Sequence, residues 1–191
     1  MSKITDSWST PKHIFDAISL KHGPFDLDAA ASAGNAKCER FFTEADNALT
    51  RDWNQPKFFV PKGSNISAEA LFNATIGIVE YDPDVRQLNS NVWLNPPYSN
   101  ITPWLAKAKA EAAKGCKVVM LINYDHTTDW WKTYIEDPNN NNQCYPGVTY
   151  DKWPRRISFD PPPGILGKDG KPVKRSTNTR PSVVVIFQGA K

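Results

Sequence analysis

The hydrophobic residues of this chain follow two patterns, one typical of helices and one typical of strands. In three segments they recur at spacings of three and four residues, which predicts helices. The first begins after the Ser-Thr-Pro sequence at 9–11, a capped start with proline in the first turn, and ends at the Gly-Pro pair at 23–24. The second covers 101–115, and the third covers 128–136 and precedes an asparagine-rich loop.

Short apolar runs between these segments predict strands. The runs are residues 25–30, 38–43, 58–60, 76–81, 92–94, 117–122, 157–159 and 182–187. Strands that alternate with helices predict an α/β fold, in which a mostly parallel sheet has helices on both faces. We expect a single domain over residues 1–191, with ligands bound at the carboxyl ends of the strands.

Composition excludes several classes of protein. The chain has no stretch of about 18 apolar residues and no basic-plus-apolar leader, so we expect a soluble, cytoplasmic protein without a membrane partner. Three widely spaced cysteines argue against a disulfide framework, and three histidines form no HExxH motif, so no metal is expected. Without a GxGxxG or GxxxxGK[ST] motif, nothing supports a dinucleotide-binding dehydrogenase or a P-loop NTPase.

Positive charge is concentrated near the carboxyl terminus. Residues 152–180, the basic segment, carry eight Lys or Arg residues and two Asp residues, although the net charge of the whole chain is only +3. Such a segment suits contact with a polyanion, and its candidate contacts are Arg155, Arg156, Lys174 and Arg175. A solvated loop is the alternative for the segment, and an ordinary exposed strand edge is the alternative for the arginine pair.

The most informative stretch is the tetrapeptide Asn95-Pro96-Pro97-Tyr98, which directly follows the apolar run 92–94. Prolines lack N–H groups and fix φ, so the chain leaves its strand as a stiff, non-helical loop. The side-chain oxygen of Asn95 and the carbonyl of Pro96 can both accept from one planar amino group, which exposes the lone pair of its nitrogen. Tyr98 offers a face for the attached ring. These groups suit methylation of an exocyclic amine; a plain diproline turn is the alternative.

A second informative element is the sequence Asp-Leu-Asp-Ala-Ala-Ala-Ser at 26–32. Asp26 and Asp28 are two residues apart on a predicted strand and therefore share a face. Ala29 and Ala30 are small enough to let a ligand approach the backbone. A carboxylate here can hold an ammonium or a hydroxyl group, whereas the alternative is an N-cap followed by a tight turn.

Two further pairs are candidates for ligand binding. Asp52 can accept a hydrogen bond from an exocyclic amine while Trp53 packs on its ring, although Trp53 suits a core position equally well. Thr10 and Pro11, at a helix start, can bind a carboxylate through free N–H groups and the helix dipole.

Together these residues resemble the phage-type DNA N6-adenine methyltransferases, the Dam family of phages and prophages. The resemblance covers most of the chain in order, in residues 8–11, 23–32, 35–38, 48–53, 92–99, 156–159 and 182–187. It favours adenine in DNA over the substrates of other amine methyltransferases with related motifs, namely guanine in RNA and glutamine in protein. Residues 57–90 are longer than the usual link between these motifs, and we interpret them as an insertion, either for DNA recognition or as decoration.

The resemblance implies a Rossmann-like methyltransferase fold that uses S-adenosylmethionine, in the cytoplasm of a bacterial host. It implies double-stranded DNA as the partner, with GATC as the expected target, base flipping, and direct displacement of the methyl group. Asn95, Pro96 and Tyr98 would take the target adenine. A DNA-binding remnant that has lost catalysis is the non-enzyme alternative.

The resemblance also implies which residues hold the cofactor. Asp28, with Asp26 close by, and the alanines that follow would line its amino-acid end, and Thr10-Pro11 would lie near its carboxylate. Asp52 would approach the cofactor adenine, with Trp53 beside it. Glu44, or else Asp46, would take the ribose hydroxyls.

Overall fold

The computed structural model contains three α-helices, two 3₁₀-helices (Ala48–Thr50 and Tyr98–Asn100) and eleven strands among the residues that it describes. Those residues are 8–54, 57–59, 86–162, 164, 166, 171, 173 and 175–189. The helices are α1 (Lys12–His22), α2 (Thr102–Ala113) and α3 (Asp129–Tyr134). The strands are β1 (Leu27–Asp28), β2 (Lys57–Phe59), β3 (Arg86–Leu88), β4 (Asn91–Leu94), β5 (Lys117–Asn123), β6 (Glu136–Asp137), β7 (Gln143–Cys144), β8 (Val148–Lys152), β9 (Ser158–Phe159), β10 (Ser176–Thr177) and β11 (Ser182–Gln188).

The central sheet has five strands in the order β1-β4-β5-β11-β8. The pairs β1–β4 and β4–β5 are parallel, whereas β11 runs antiparallel to both β5 and β8. The expected mostly parallel sheet is therefore confirmed for one half only, and the sheet is mixed. The reason lies in the chain path: Ser182 pairs with Asn123, so β11 enters the sheet at the edge where β5 ends.

Hydrophobic packing on both faces of the sheet holds the domain together. In β5, Val118 and Met120 belong to the cluster that α2 covers, while Val119 and Leu121 belong to the cluster that contains Ile18 of α1. The expected helices on both faces are thus confirmed. A buried strand flanked by two apolar layers also explains why β5 reads as a continuous hydrophobic run.

Several predicted boundaries differ from the structure. Residues 38–43 form no strand and pair with β1 only through a bridge between Asp28 and Phe41, because β1 itself ends after two residues. The start of α1 has no side-chain cap, because its N-cap residue is Pro11, whose side chain has no hydrogen-bond acceptor. The predicted helix at 128–136 is shorter, because β6 begins at Glu136.

Five strands were not predicted, namely β3, β6, β7, β8 and β10. Strand β8 pairs with β11 in full register, and β6 and β7 form a hairpin around the asparagine-rich loop. The strand predicted at 58–60 corresponds to β2, which pairs antiparallel with β3. The strand predicted at 76–81 lies outside the described residues.

A buried carboxylate joins α2 to the segment before β2. Glu111 is fully buried, and its Oε1 accepts from Lys107 Nζ at 2.6 Å and from Lys114 Nζ at 2.9 Å. Its Oε2 accepts from the backbone N–H of Trp53 at 3.1 Å, and the Trp53 indole donates to the carbonyl of Ala48 at 2.8 Å. Burial alone would raise the pKa of Glu111, but these donors outweigh it and lower the pKa to about 2.

Replacing Glu111 by Gln should lower the free energy of unfolding at pH 7 by about 3 kcal/mol, because it leaves Lys107 half-buried without a counter-charge. Since the pKa of Glu111 falls from 4.5 to about 2 on folding, this stabilisation is complete above pH 4.5 and is lost as the pH falls toward 2. Urea unfolding at pH 7 and pH 3 measures both effects.

Lys114→Met is the matched control, since that lysine is half-exposed and should contribute little. Equal unfolding midpoints for Glu111→Gln and the parent protein at pH 7 would show that the charge of Glu111 does not stabilise the fold.

Candidate functional site

A cavity of about 830 Å³ opens at the edge of the sheet where β1 and β4 end. Its volume is in the range of small-molecule sites, roughly 300–1,000 Å³. The residues of its wall are Ser9, Ala29, Ala30, Ala31, Ser32, Gly34, Asn35, Ala36, Lys37, Phe42, Thr43, Glu44, Ala45, Asn47, Ala48, Leu49, Asn95, Pro97, Trp104, Asp160, Pro161 and Pro162. Most are apolar or small, with few charged groups, as expected for a site that binds an organic ligand.

Parallel strand pairing brings the two main sequence motifs to this cavity. Asp28 lies opposite Trp93, so the turn that follows β1 and the tetrapeptide that follows β4 emerge side by side. The N–H of Ala29 donates to the carbonyl of Trp93 at 3.0 Å, and the N–H of Ala31 donates to that of Phe42 at 2.9 Å. Residues 29–32, the alanine turn, are thereby fixed as one wall of the cavity.

Asp28 supports the alanine turn from behind and is absent from the wall. Its side chain is 3% exposed, and its two oxygens accept from the N–H of Ala30 at 3.3 Å and of Lys37 at 3.0 Å. Burial raises the pKa of Asp28 to about 6, although these two hydrogen bonds and the charge of Lys37 oppose the shift. Both ends of the loop between them are therefore attached to one carboxylate.

Asp26 lies at the opposite end of the same strand pair. Its carboxylate accepts from the N–H of Asn91 at 3.0 Å, and its own N–H donates to the carbonyl of that residue at 2.8 Å. It is absent from the cavity wall. Asp26 thus sets the register of β1 against β4.

The tetrapeptide presents its first residue and its second proline to the cavity. Asn95 and Pro97 are in the wall, while Pro96 is buried and Tyr98 half-buried. The Tyr98 hydroxyl donates to Asn95 Oδ1 at 3.1 Å and lies 3.3 Å from the carbonyl oxygen of Leu121. Burial raises the pKa of Tyr98, so this hydroxyl keeps its proton and fixes which atom of the amide is the oxygen.

At the other side of the cavity, the segment before α1 pairs with the segment after β9. Ser9 and Asp160 exchange two backbone hydrogen bonds, of 2.8 and 2.9 Å. Thr10 is buried, and its hydroxyl has no hydrogen-bond partner among the described residues. Neither Thr10 nor Pro11 is in the wall. Ser9 is the residue of this segment that lines the cavity.

Asp52 and Trp53 are also outside the wall. Trp53 is fully buried in the core, and the carboxylate of Asp52 is exposed, 3.7 Å from Lys114. Their connection to the cavity is indirect, since the Trp53 indole holds the carbonyl of Ala48, a wall residue.

Of the two candidates for the ribose hydroxyls, only one faces the cavity. Glu44 is in the wall, whereas the carboxylate of Asp46 accepts from both the N–H and the hydroxyl of Thr43, at 2.8 and 2.7 Å. Asp46 therefore stabilises the turn that carries Glu44.

Several wall residues were not anticipated from the sequence. Trp104 carries no local motif, and Lys37 lies in the segment 35–38 that resembles the family but was given no role. Asp160-Pro161-Pro162, however, follows β9 as Asn95-Pro96-Pro97 follows β4, a polar residue and two prolines directly after a strand. That repeated pattern was the signal that could have identified this part of the wall.

The four candidate DNA contacts have different surroundings. Arg155 and Arg156 are exposed, and neither forms an ion pair within the described part of the chain. Arg175 forms an ion pair with Asp160. Lys174 lies outside the described residues.

Other features of the described residues concern metals, membranes and thiols. They contain no group of three or more His, Cys, Asp or Glu side chains arranged to hold a metal ion. None of their helices is long and apolar enough to cross a bilayer. All three cysteines are free thiols.

The strand ends of this α/β sheet carry a small-residue turn and an Asn-Pro-Pro loop, and both face one cavity. This edge of the sheet is where α/β domains bind their ligands. Residues 1–76 and 81–191 match the family described as DNA N-6-adenine-methyltransferase (Dam). The chain belongs to this family.

Individual relatives agree with this assignment. The chain is 29% identical to the DNA N-6-adenine-methyltransferase of Escherichia phage T1, over 98% of this chain and 65% of that protein. It is 30% identical to the protein of the same name from Haemophilus phage HP1, over 96% of this chain and 79% of that protein. The putative methyltransferase YfdM of Escherichia coli K12 is 42% identical over 55 residues, or 29% of this chain and 60% of that protein. The chain thus spans just under two thirds of the length of the phage T1 relative.

The position of Asp28 predicts a specific pH dependence. Because its pKa rises from 3.8 to about 6 on folding, its contribution to the free energy of unfolding is complete below pH 4 and decreases as the pH rises through 6, by up to about 3 kcal/mol. Carbon-13 NMR of the Asp28 carboxyl should give a midpoint near 6.

Asp28→Asn is the comparison, since it cannot titrate. The difference in unfolding free energy between the two proteins should change between pH 4 and pH 7. A midpoint below 4 would mean that the two N–H donors lower the pKa of Asp28 more than burial raises it.

Proposed function

We propose that this protein transfers a methyl group from S-adenosylmethionine to the N6 amine of adenine in DNA. The observation that carries the proposal is the meeting of the alanine turn with Asn95 and Pro97 in one cavity, in a chain of this family. The names of the two phage relatives support the same substrate and reaction. On this view the sheet is the core of a Rossmann-like methyltransferase fold.

The cavity has room and chemistry for the cofactor. About 830 Å³ accommodates a nucleoside joined to an amino acid, together with part of a target base. Ala29 and Ala30 let the amino-acid end approach the backbone, and Glu44 accepts from the ribose hydroxyls. Asp28 acts through the turn that it holds, and Trp53 acts through Ala48. When bound, S-adenosylmethionine supplies an electrophilic methyl group.

Asn95 and Pro96 then act on the acceptor amine. The Asn95 side-chain oxygen and the Pro96 carbonyl each accept one N6 hydrogen, so the nitrogen becomes tetrahedral and its lone pair turns toward the methyl group. Asn95 Oδ1 already accepts from Tyr98, and a carbonyl oxygen has a second lone pair for N6. The rate gain comes from positioning and from acceptors aimed at the positive charge that develops on nitrogen.

Methyl transfer by this route is a single displacement. The N–C bond forms as the sulfur–carbon bond breaks, and the methylated amine releases one proton to water. Neither an amide oxygen nor a peptide carbonyl accepts that proton, and no catalytic cysteine is required.

The target adenine has to leave the duplex, at a cost of a few kcal/mol. Stacking on Tyr98 returns about 1–3 kcal/mol, and phosphate contacts from the basic segment offset the remainder. The Tyr98 ring packs edge-on against Phe159, with centroids 6.2 Å apart, which holds it rigid for this purpose. GATC is the target sequence that we propose to test first.

The direct test is digestion of DNA from a methylation-deficient host that expresses the protein, with restriction enzymes sensitive to adenine methylation. Purified protein with labelled cofactor and equal masses of DNA, RNA and protein distinguishes the acceptors. Label in RNA or protein but not in DNA would overturn the proposal, and cofactor binding without label in any acceptor would indicate a catalytically inactive DNA-binding protein.

Asn95→Ala should reduce methylation at least 100-fold, because it removes one of the two acceptors at the reacting nitrogen. The dissociation constant of S-adenosylhomocysteine, measured by calorimetry, should change less than about threefold, because the cavity wall is otherwise intact. Tyr98→Phe is a milder companion variant, because it removes the hydroxyl that donates to Asn95 Oδ1 and leaves the Asn95 side chain in place. Near-normal turnover by Asn95→Ala would disprove the assigned role.

Charge removal at Arg155 and Arg156 should flatten the salt dependence of DNA binding. The slope of log K against log salt decreases by about 0.9 for each phosphate that a side chain no longer neutralises, so the double Gln variant should show a slope shallower by up to about 1.8. Arg175→Gln is the informative comparison, because that side chain is paired with Asp160 and should affect the slope less. An unchanged slope in the double variant would identify the arginine pair as an ordinary exposed edge.

A further inference from the structure

The cavity wall contains few charged side chains, and more of them are acidic than basic. Among its residues, Glu44 and Asp160 are acidic, and Lys37 is the only lysine or arginine. A ligand that carries an anionic group therefore has one cationic side chain in this wall available to it.

Lys37 is held firmly at one end of the cavity. Its backbone N–H donates to Asp28 Oδ2 at 3.0 Å, which attaches it to the same carboxylate that holds Ala30. Its side chain is half-buried, and its ammonium forms no ion pair within 4 Å among the described residues, although its charge acts on the Asp28 carboxylate. A long side chain at this position can bring its ammonium to an anionic group of a ligand in the cavity.

The chemistry of the proposed cofactor supplies the missing anion. S-adenosylmethionine ends in an α-amino acid, and its carboxylate is its only negative charge. In a half-buried site, that carboxylate needs a cation or several N–H donors. The expected donors, the free N–H groups near Thr10 and Pro11, are not in the wall.

We propose that Lys37 binds the α-carboxylate of the cofactor. This inference rests on the proposed function, because it assumes a ligand with an amino-acid end. It also fixes the orientation of that ligand: the amino acid lies against the alanine turn and Lys37, and the nucleoside lies toward Glu44 and Asn47–Leu49, at the other end of the same loop.

The test compares two ligands that differ only in the part that Lys37 would hold. S-adenosylhomocysteine carries the amino acid, whereas 5′-methylthioadenosine lacks it. By calorimetry, Lys37→Met should weaken binding of S-adenosylhomocysteine about 10- to 100-fold, the usual range for removal of a charge-assisted hydrogen bond. Binding of 5′-methylthioadenosine should stay within about twofold, and Lys37→Arg should restore part of the affinity.

Lys12→Met is the matched control. Lys12 pairs with Asp16 on the exposed face of α1 and is absent from the wall, so its removal should leave both affinities unchanged. Thermal unfolding of each variant shows whether the loop has stayed folded.

Several outcomes would overturn the assignment. Equal losses for both ligands would mean that Lys37 merely supports the loop, and unchanged affinities would mean that it does not touch the carboxylate. Weaker DNA binding with normal ligand binding would assign Lys37 to a phosphate. If the unsubstituted protein binds neither ligand, the proposed function fails as well, whereas binding by that protein with no effect of Lys37→Met rejects this inference alone.

Discussion

The site depends on the parallel pairing of β1 with β4. Both strands are short, and β1 has only two residues, so the ladder itself provides few hydrogen bonds. Hydrogen bonds at the two ends of the strand pair fix its register. The Asp26 carboxylate accepts from the N–H of Asn91 at one end, and the N–H of Ala29 donates to the carbonyl of Trp93 at the other. A slip of one residue would move every side chain of β1 to the opposite face and carry the alanine turn away from Asn95.

Around this strand pair, most buried polar groups serve the protein and not the ligand. Asp28 holds the alanine turn, Glu111 holds the backbone of Trp53, and Tyr98 holds the amide of Asn95. Asp28 and Tyr98 bind wall residues directly, whereas Glu111 acts through Trp53, whose indole binds the wall residue Ala48. The wall is consequently stiff and nearly uncharged, which suits a reaction that depends on the placement of acceptors rather than on a strong acid or base.

The sequence contained enough information to predict the fold class and the two central motifs, but not all of their contacts. Long apolar runs such as β5 are unambiguous, and strand ends beside prolines mark the site. The direction of β11 was not predictable, because a buried strand has the same composition in either orientation. Asp52 and Trp53 were assigned to the ligand because an acid beside an aromatic ring suits a purine, yet Trp53 is buried against Glu111 and Asp52 lies exposed near Lys114. Lys37 lies in a segment that resembles the family, but only the fold shows that it lines the cavity.

The bridge between Ser9 and Asp160 uses main-chain atoms alone. It joins segments from opposite ends of the chain and closes one side of the cavity without any contribution from side-chain chemistry. The side chains at both positions can therefore diverge freely as far as this closure is concerned, and proline is the one substitution that removes a donor from it. The two wall residues can thus change their side chains while the backbone pairing between their segments is kept.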